Sequence, residues 1–315
     1  MKNNSNGAVS SCQESILLSG ITASTRDPYV LCYDDHYYIY TTGWYVYQSC
    51  EDRLTGEFVY PEGTCVVAPP DYDGDPWAPE VYDYDGRFYM FTTYKSKMTG
   101  KRGCAVFVSN SPAGPFLPHS DGHITPSDKD YIDGSLYIDA DNQPWMIYVK
   151  EWISMEDGIG RMLCAKLSTD LKTLISEPVE MFQATDPAWA AGIITDGPFL
   201  YRTQNGSLLM LWSNYDREGY CVGLAKSKSG AVTGPWVQME EPLYSKKYTG
   251  VYDGGHGMIF TDMDGNMWMA MHSPNTATEV AQERTVFIPL KEEKDALVWD
   301  RKRNVRKDAP NMSKE

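Results

Sequence analysis

Five hairpins of the same design follow one another along the chain, and this repeat constrains the fold more than any other feature. In each hairpin a short apolar strand leads into a two-residue turn and then into a strand rich in aromatic residues or Met. Such turn pairs are typical of type I′ turns. The turns lie 51, 56, 64 and 59 residues apart, at Asp34-Asp35, Asp85-Gly86, Asp141-Asn142, Asn205-Gly206 and Asp264-Gly265.

A further strand follows most of the hairpins. It is seen in "GCAVFVSNSPAGPF", "GRMLCAKLSTDL" and "YCVGLAKSKSGAVTGPW", and in the last unit as "RTVFIPL" at 284–290. Five units of three or four antiparallel strands predict an all-β fold, a five-bladed β-propeller. A β-sandwich is the alternative, but it gives no reason for five matched hairpins in series. The best helical candidate, "DLKTLISEPVEMF", is short and contains Pro178.

The chain is expected to form a single domain over residues 1–315, although 315 residues would also allow two. The propeller is expected to span about residues 20–295. The charge-rich tail from about Lys291 is expected to wrap the outside or to be disordered.

The net charge of −15 argues against nucleic acid and against an anionic membrane surface as partners. We find no N-terminal apolar segment typical of a signal peptide and no stretch long enough to cross a bilayer. These features predict a cytoplasmic protein that works on imported oligosaccharides, or a periplasmic or secreted one if a signal peptide has been removed.

Seven cysteines are scattered along the chain without a CxxC pair, so a zinc site is not expected. Cys32, Cys104, Cys164 and Cys221 each lie inside an apolar run. They are expected to be buried free thiols, as in proteins of reducing compartments.

Aspartates stand at the start of four first strands: Asp27 in "RDPYVLCY", Asp133 in "YIDGSLYI", Asp196 in "TDGPFLY" and Asp253 in "YDGGHGMIF". In a propeller the first strand of every blade lines the central channel, so these residues should converge at one end of it. Carboxylates gathered in one pocket suggest glycoside hydrolysis, which needs one acid and one base. Alternatively, each aspartate is architectural, because Asp beside Gly or Pro is common at turns and caps.

With these residues in place, the chain resembles glycoside hydrolase family 43, the five-bladed propeller arabinofuranosidases, xylosidases and arabinanases. The resemblance covers about residues 20–295. It is carried by one element per unit: "TRDPYV", "WAPEVY", "YIDGSLY", "TDGPFLY" and "GGHGMIF". It implies an inverting hydrolase that releases arabinofuranose or xylose from plant-type oligo- or polysaccharides, with carbohydrate as its partner and no organic cofactor.

The resemblance also implies roles for three carboxylates. Asp27 matches the general base that activates water, and Asp133 matches the aspartate that orients the acid and raises its pKa. Asp196 stands where the family usually has a glutamate general acid, so its side chain is one methylene shorter. Either the local backbone advances to compensate, or the acid function is weakened or lost. Glu80 is the next candidate acid. In an inverting enzyme the two carboxyl groups should lie about 6.5–9.5 Å apart.

Three further residues match family positions. Trp77 matches an aromatic side chain near the sugar, with core packing as the alternative. Arg284 resembles an arginine that reaches the substrate, with a surface ion pair as the alternative. His256 matches a histidine near a cation, often calcium, in the central channel, with plain hydrogen bonding as the alternative. Calcium prefers oxygen ligands, so water would supply much of its shell.

Two readings without catalysis remain open at this point. One is a carbohydrate-binding propeller with weakened or lost catalysis, for which residue 196 is the discriminating position. The other is a propeller scaffold for protein partners, which would leave the converging carboxylates unexplained.

Overall fold

The computed structural model describes residues 16–60, 65–278, 281–303 and 305. It is a five-bladed β-propeller, which confirms the predicted fold. Each of the first four blades is an antiparallel sheet whose four strands pair in chain order. Blade 1 contains β2 (Tyr29–Tyr33), β3 (His36–Thr41), β4 (Tyr45–Ser49) and β5 (Phe58–Val59), and blade 2 contains β6 (Trp77–Tyr84), β7 (Arg87–Lys95), β8 (Arg102–Ser109) and β9 (Leu117–Pro118). Blade 3 contains β10 (Tyr131–Ile138), β11 (Pro144–Lys150), β12 (Arg161–Lys166) and β13 (Val179–Gln183), and blade 4 contains β14 (Asp196–Arg202), β15 (Leu208–Asp216), β16 (Gly219–Ser227) and β17 (Trp236–Gln238).

Blade 5 combines both ends of the described chain. Its inner strands are β18 (Gly255–Thr261), β19 (Met267–Ser273) and β20 (Arg284–Glu293), and both β1 (Leu17–Leu18) and β21 (Ala296–Trp299) pair with β20. The propeller therefore extends past the expected limits of 20–295 on both sides. The charge-rich tail begins inside β20 and contributes a strand, and the tail residues after 305 lie outside the described part.

The first strands of the blades form a closed ring around the channel. Strand β2 contacts β6, β6 contacts β10, β10 contacts β14, β14 contacts β18, and β18 contacts β2. All five strands run in the same sense along the axis, since each begins its blade. Their starts therefore meet at one end of the channel, as the sequence predicted.

The hairpin turns follow the type I′ prediction in only two blades. Positive φ at both turn residues occurs at Asp34-Asp35 (50° and 60°) and at Asp85-Gly86 (50° and 74°). In the other three hairpins a five-residue loop closes with a turn whose last residue alone is left-handed: Asn142, Gly206 or Gly265. The prediction was wrong there because the strands end earlier than the apolar pattern suggested.

Among the described residues the helical elements are two single turns, a 3-10 turn at Trp152–Ser154 and α1 at Lys246–Thr249. The helical candidate of the sequence instead contributes β13, which pairs with β12. In the described residues we find no helix with the length and apolar character needed to span a bilayer.

The expected free thiols are present. Cys104, Cys164 and Cys221 are buried and unpaired, whereas Cys32 is free but only half-buried. Burial raises the pKa of Cys164 to about 12, so this thiol is inert at neutral pH.

Strand β1 contributes a buried apolar side chain to the core at the last blade. Leu17 is 5% exposed and belongs to the core between blades 5 and 1, whereas its neighbour Leu18 is 47% exposed. Successive strand residues face opposite sides of a sheet, which explains the contrast.

We predict that Leu17→Ala lowers the free energy of unfolding by about 2–5 kcal/mol, as expected for a cavity in a core. Leu18→Ala removes the same atoms from the exposed face and should change it by less than about 0.5 kcal/mol. Urea unfolding of both variants measures the difference. Equal changes in the free energy of unfolding would show that Leu17 does not pack in the core as described.

Candidate active site

A ring of left-handed residues surrounds the channel where the first strands begin. One residue per blade has a positive φ, and four of the five carry a side chain, which is uncommon in this conformation. The members, which we call the left-handed ring, are Asp27 (52°), Ala78 (44°), Asp133 (56°), Gly197 (50°) and His256 (56°). In blades 2 to 5 this residue lies within a shift of the strand register. Such irregularities re-aim side chains and are frequent beside active sites.

Hydrogen bonds between blades hold the ring. In four cases a side chain at the end of the second strand of one blade accepts from the left-handed amide of the next blade. The Ala78 amide donates to Thr42 Oγ1 (3.0 Å), the Asp133 amide to Thr93 Oγ1 (2.9 Å), the His256 amide to Ser213 Oγ (2.8 Å) and the Asp27 amide to His272 Nδ1 (3.3 Å). In the fifth case the Gly197 amide donates directly to Asp133 Oδ2 at 3.0 Å.

The three predicted catalytic aspartates do not occupy equivalent positions of their first strands, contrary to expectation. Asp27 and Asp133 belong to the left-handed ring, but Asp196 precedes the ring position by one residue. A Cβ atom on Gly197 would lie 2.8 Å from His256 Cδ2, so blade 4 requires glycine at the ring position. The carboxylate of this blade therefore comes from the preceding residue.

Asp253 is not part of the converging set, contrary to expectation. His256 occupies the ring position of blade 5. Asp253 instead accepts from the backbone amides of Tyr220 and Asn275, both at 3.1 Å. It has the architectural role that was the alternative for all four aspartates.

Asp27, Asp133, Asp196, His256 and Trp77 line one cavity of about 380 Å³ at the channel mouth. The cavity brings together all three predicted catalytic carboxylates. Several of its residues were not identified from the sequence: Arg26, Thr42, Glu151, Trp152, Ile194, Tyr215 and Tyr220.

Asp27 is built to stay ionised. Burial alone would raise its pKa, but neighbouring positive charge and a hydroxyl donor outweigh burial and lower it below its usual range. Thr42 Oγ1 donates to Oδ2 at 2.6 Å, and Arg26 Nε and His256 Nδ1 lie 3.8 and 3.2 Å from Oδ1. His272 supplies no charge at neutral pH, because burial lowers its pKa to about 4 and its Nδ1 accepts the Asp27 amide.

Arg26 is fixed in place by the last blade. Its Nη1 contacts Glu283 Oε1 at 2.8 Å and donates to the Asn275 carbonyl at 2.6 Å, while Nη2 donates to Asn275 Oδ1 at 3.0 Å. The sequence signal for this residue was its position directly before Asp27 in "TRDPYV".

Asp133 and Asp196 have the opposite electrostatic environment. Burial, and then the charge of Asp27, raise the pKa of Asp133. Burial, and then the charge of Asp133, raise the pKa of Asp196, while the Tyr220 hydroxyl donates to Asp196 Oδ2 at 2.9 Å and partly offsets the rise. Two buried carboxyl groups so placed share one proton near neutral pH, because the charge of one favours the protonated form of the other.

Trp77 lines the cavity. The guanidinium of Arg102 lies over its ring, 4.4 Å from the ring centre. Asp75 Oδ2 and Glu151 Oε2 hold Arg102 at 2.8 and 2.9 Å. With Trp152 also lining the cavity, the site has an aromatic wall suited to the apolar face of a sugar.

The structure does not bring Arg284 to this cavity. Its guanidinium donates to the backbone carbonyl of Ile21, and it lines a separate cavity of about 640 Å³ at the edge of blade 5. No described Asp or Glu side chain lines that cavity. The expected substrate arginine was therefore placed wrongly, because β20 is not a channel strand. Arg26 is the arginine that faces the carboxylates.

Glu80, the reserve candidate for the acid, is buried and accepts from the Tyr82 hydroxyl, which also lies 3.1 Å from Ser135 Oγ. Burial raises its pKa to about 8. It is not among the residues that line the catalytic cavity.

The expectation of calcium beside His256 stays a prediction. His256 Nδ1 faces Asp27 Oδ1 at 3.2 Å and Asp133 Oδ2 at 3.9 Å. Within the described ranges, His, Cys, Asp and Glu side chains form no group of three or more suited to hold a metal ion.

Comparisons with known proteins agree with this geometry. The family model described as Glycosyl hydrolases family 43 matches residues 21–295. A curated relative, the extracellular exo-α-(1→5)-L-arabinofuranosidase ArbA of Cellvibrio japonicus, is 25% identical over 300 residues, covering 83% of this chain and 82% of the relative.

Two solved structures from Bacteroides thetaiotaomicron are also similar. An endo-arabinase is 36% identical, with a TM-score of 0.77 over 89% of this chain and 99% of that one. An endo-1,4-β-xylanase is 26% identical, with a TM-score of 0.73 over 90% of this chain and 96% of that one.

We predict that Tyr220→Phe moves the alkaline limb of the activity profile to higher pH. The lost hydroxyl favours the ionised form of Asp196, so its removal raises the pKa of that group further. The measurement is kcat/KM against pH. Tyr215→Phe is the control, because that hydroxyl bonds to Asn275 and not to Asp196, so the limb should stay in place. A downward shift, or none, in Tyr220→Phe would contradict the assignment of Asp196 as the titrating acid.

Proposed function

We propose that this chain, which belongs to glycosyl hydrolases family 43, hydrolyses α-L-arabinofuranosyl linkages with inversion of configuration. The chain is a glycoside hydrolase by its family. The arabinofuranosyl substrate is supported by the similarity to the endo-arabinase and to the exo-arabinofuranosidase. Xylosyl linkages are the second candidate, because of the similarity to the endo-1,4-β-xylanase.

One observation carries the proposal: in a single cavity the pKa of Asp27 is lowered, while the pKa values of Asp133 and Asp196 beside it are raised. Environments that push the pKa values of neighbouring carboxyl groups apart assign the base and the acid. A pocket that only bound sugar would not need one carboxyl group kept ionised and another kept protonated. The arrangement therefore favours catalysis over a carbohydrate-binding propeller.

Asp27 acts as the general base. It accepts a proton from water as the water oxygen attacks the anomeric carbon. The Thr42 hydroxyl and Arg26 keep the carboxylate ionised and hold it in one orientation. Because fixed groups hold both carboxylate oxygens of Asp27, the orientation of the base is set before the substrate binds. The direction from which the water attacks is set with it.

Asp196 acts as the general acid. Its proton moves to the glycosidic oxygen as the bond from that oxygen to the anomeric carbon breaks, and the bonding electrons stay on the leaving oxygen. Asp133 keeps the acid protonated through its charge and through its bond to the Gly197 amide. After release of product, Asp27 loses its proton to solvent and Asp196 regains one.

The direct test is turnover by the purified protein. Arabino-oligosaccharides and 4-nitrophenyl glycosides of α-L-arabinofuranose, β-D-xylose and β-D-galactose should be compared. We expect the arabinofuranosides to be cleaved fastest. Cleavage of the xyloside alone would select the second candidate, and binding without cleavage of any would return the chain to the carbohydrate-binding alternative.

We predict that Asp27→Asn lowers kcat by about 10²–10⁴-fold with an unchanged melting temperature, because no other group then accepts the water proton. Asp253→Asn is the matched control. It changes a carboxylate at the start of another blade whose partners are backbone amides, so its kcat should stay near wild type. Wild-type turnover in Asp27→Asn would remove Asp27 from the mechanism.

We predict that the cost of losing Asp196 depends on the leaving group. A sugar alkoxide needs a proton to leave and a nitrophenolate does not. Asp196→Asn should therefore lower kcat about 10²–10⁴-fold on an arabino-oligosaccharide and far less on the nitrophenyl arabinofuranoside. Asp196→Glu keeps a carboxyl group at this position, so the ratio of its kcat values on the two substrates should stay as in the wild type. Equal losses on both substrates in Asp196→Asn would point to a positioning role instead.

A further inference from the structure

One position of the inter-blade hydrogen bonds differs from the other four. In every blade a residue near the end of the second strand stands opposite the residue that precedes the left-handed ring. These opposite residues are Thr42, Thr93, Val149, Ser213 and His272. Four of them bind the left-handed amide of the next blade. Val149 is fully buried and has no polar atom to offer.

Blades 1 and 3 allow a direct comparison, because each presents a ring aspartate to the next blade. In blade 1 the Thr42 hydroxyl stands between the two partners: it donates to Asp27 Oδ2 at 2.6 Å and accepts from the Ala78 amide at 3.0 Å. In blade 3 the bridging hydroxyl is missing, and the Gly197 amide donates straight to Asp133 Oδ2 at 3.0 Å.

We propose that Val149 is a positioning residue for the general acid: its lack of a hydroxyl makes Asp133 bind the Gly197 amide directly, which draws the peptide after Asp196 toward Asp133. The proposal rests on the proposed function, in which Asp196 protonates the leaving group.

The direct bond between Asp133 and the Gly197 amide compensates for the short side chain of Asp196. A bridge of two hydrogen bonds keeps its end atoms roughly 2 Å farther apart than one direct bond does. An aspartate reaches about 1.5 Å less far than a glutamate, the length of one carbon–carbon bond. Without a hydroxyl in blade 3, the backbone of blade 4 approaches Asp133 by a distance similar to the reach that Asp196 lacks relative to a glutamate. The closer approach therefore offsets the shorter acid.

The test inserts the hydroxyl. Val149→Thr has nearly the shape of valine and places an oxygen where Thr42 has one. We expect kcat on an arabino-oligosaccharide to fall at least about tenfold, because the acid is displaced, while kcat on 4-nitrophenyl α-L-arabinofuranoside changes less than about threefold. KM should change little on either substrate. Val149→Ser offers the same hydroxyl in a smaller side chain and should give the same selective loss.

Val149→Ala is the matched control, since it loses packing without gaining a hydroxyl. It should lower the melting temperature and leave the ratio of the two kcat values as in wild type. Equal losses on both substrates in Val149→Thr, or a changed ratio in Val149→Ala, would overturn the proposal.

A second measurement does not depend on turnover. The backbone amide proton of Gly197 should resonate downfield in the wild type, because it donates to a carboxyl oxygen, and should move upfield in Val149→Thr. An unchanged Gly197 signal would overturn the proposal even if activity fell. A wild-type protein that cleaves no glycoside would defeat the proposed function, and the amide signal would still decide the hydrogen-bond arrangement.

Discussion

The active site depends on a hydrogen bond that the propeller repeats from blade to blade. The left-handed amide at the start of each first strand is bonded to a side chain from the blade before it. A left-handed residue with a side chain is costly on its own, so it persists only where its surroundings determine it. These buried bonds provide that determination. They join neighbouring blades, and they aim Asp27, Asp133 and His256 at one end of the channel.

On this shared scaffold the blades present different side chains to the channel. Blade 1 surrounds Asp27 with Thr42 and Arg26 and keeps it ionised. Blade 3 buries Asp133 near Asp27, and burial and then the charge of Asp27 raise its pKa. Burying carboxyl groups costs stability unless they are neutral or paired. Burial therefore favours the protonated form of Asp133 and Asp196, and a retained proton is what the leaving group requires.

Much of this was accessible from the sequence, for identifiable reasons. Turn residues and strand periodicity are local, so five hairpins predicted five blades. The topology of a propeller then placed Asp27, Asp133 and Asp196 together without any side-chain detail. What the sequence could not reveal depends on single-residue register. Asp-Gly reads alike at 133–134 and 196–197, yet the ring position is the aspartate in one and the glycine in the other. Arg284 was misplaced because a third strand never reaches the channel. Tyr220 and Glu151 come from strands and loops whose local pattern carries no signal of a pocket.

The central claim is that Asp27 and Asp196 act on opposite sides of one bond in a single displacement. Proton NMR of the hydrolysis of a 4-nitrophenyl α-L-arabinofuranoside, recorded in the first minutes before mutarotation, measures this most directly. The account predicts that the β-anomer of arabinose appears first and the α-anomer only later. Initial appearance of the α-anomer would mean two displacements and a covalent intermediate, and it would contradict the assignment of Asp27 as a base acting through water.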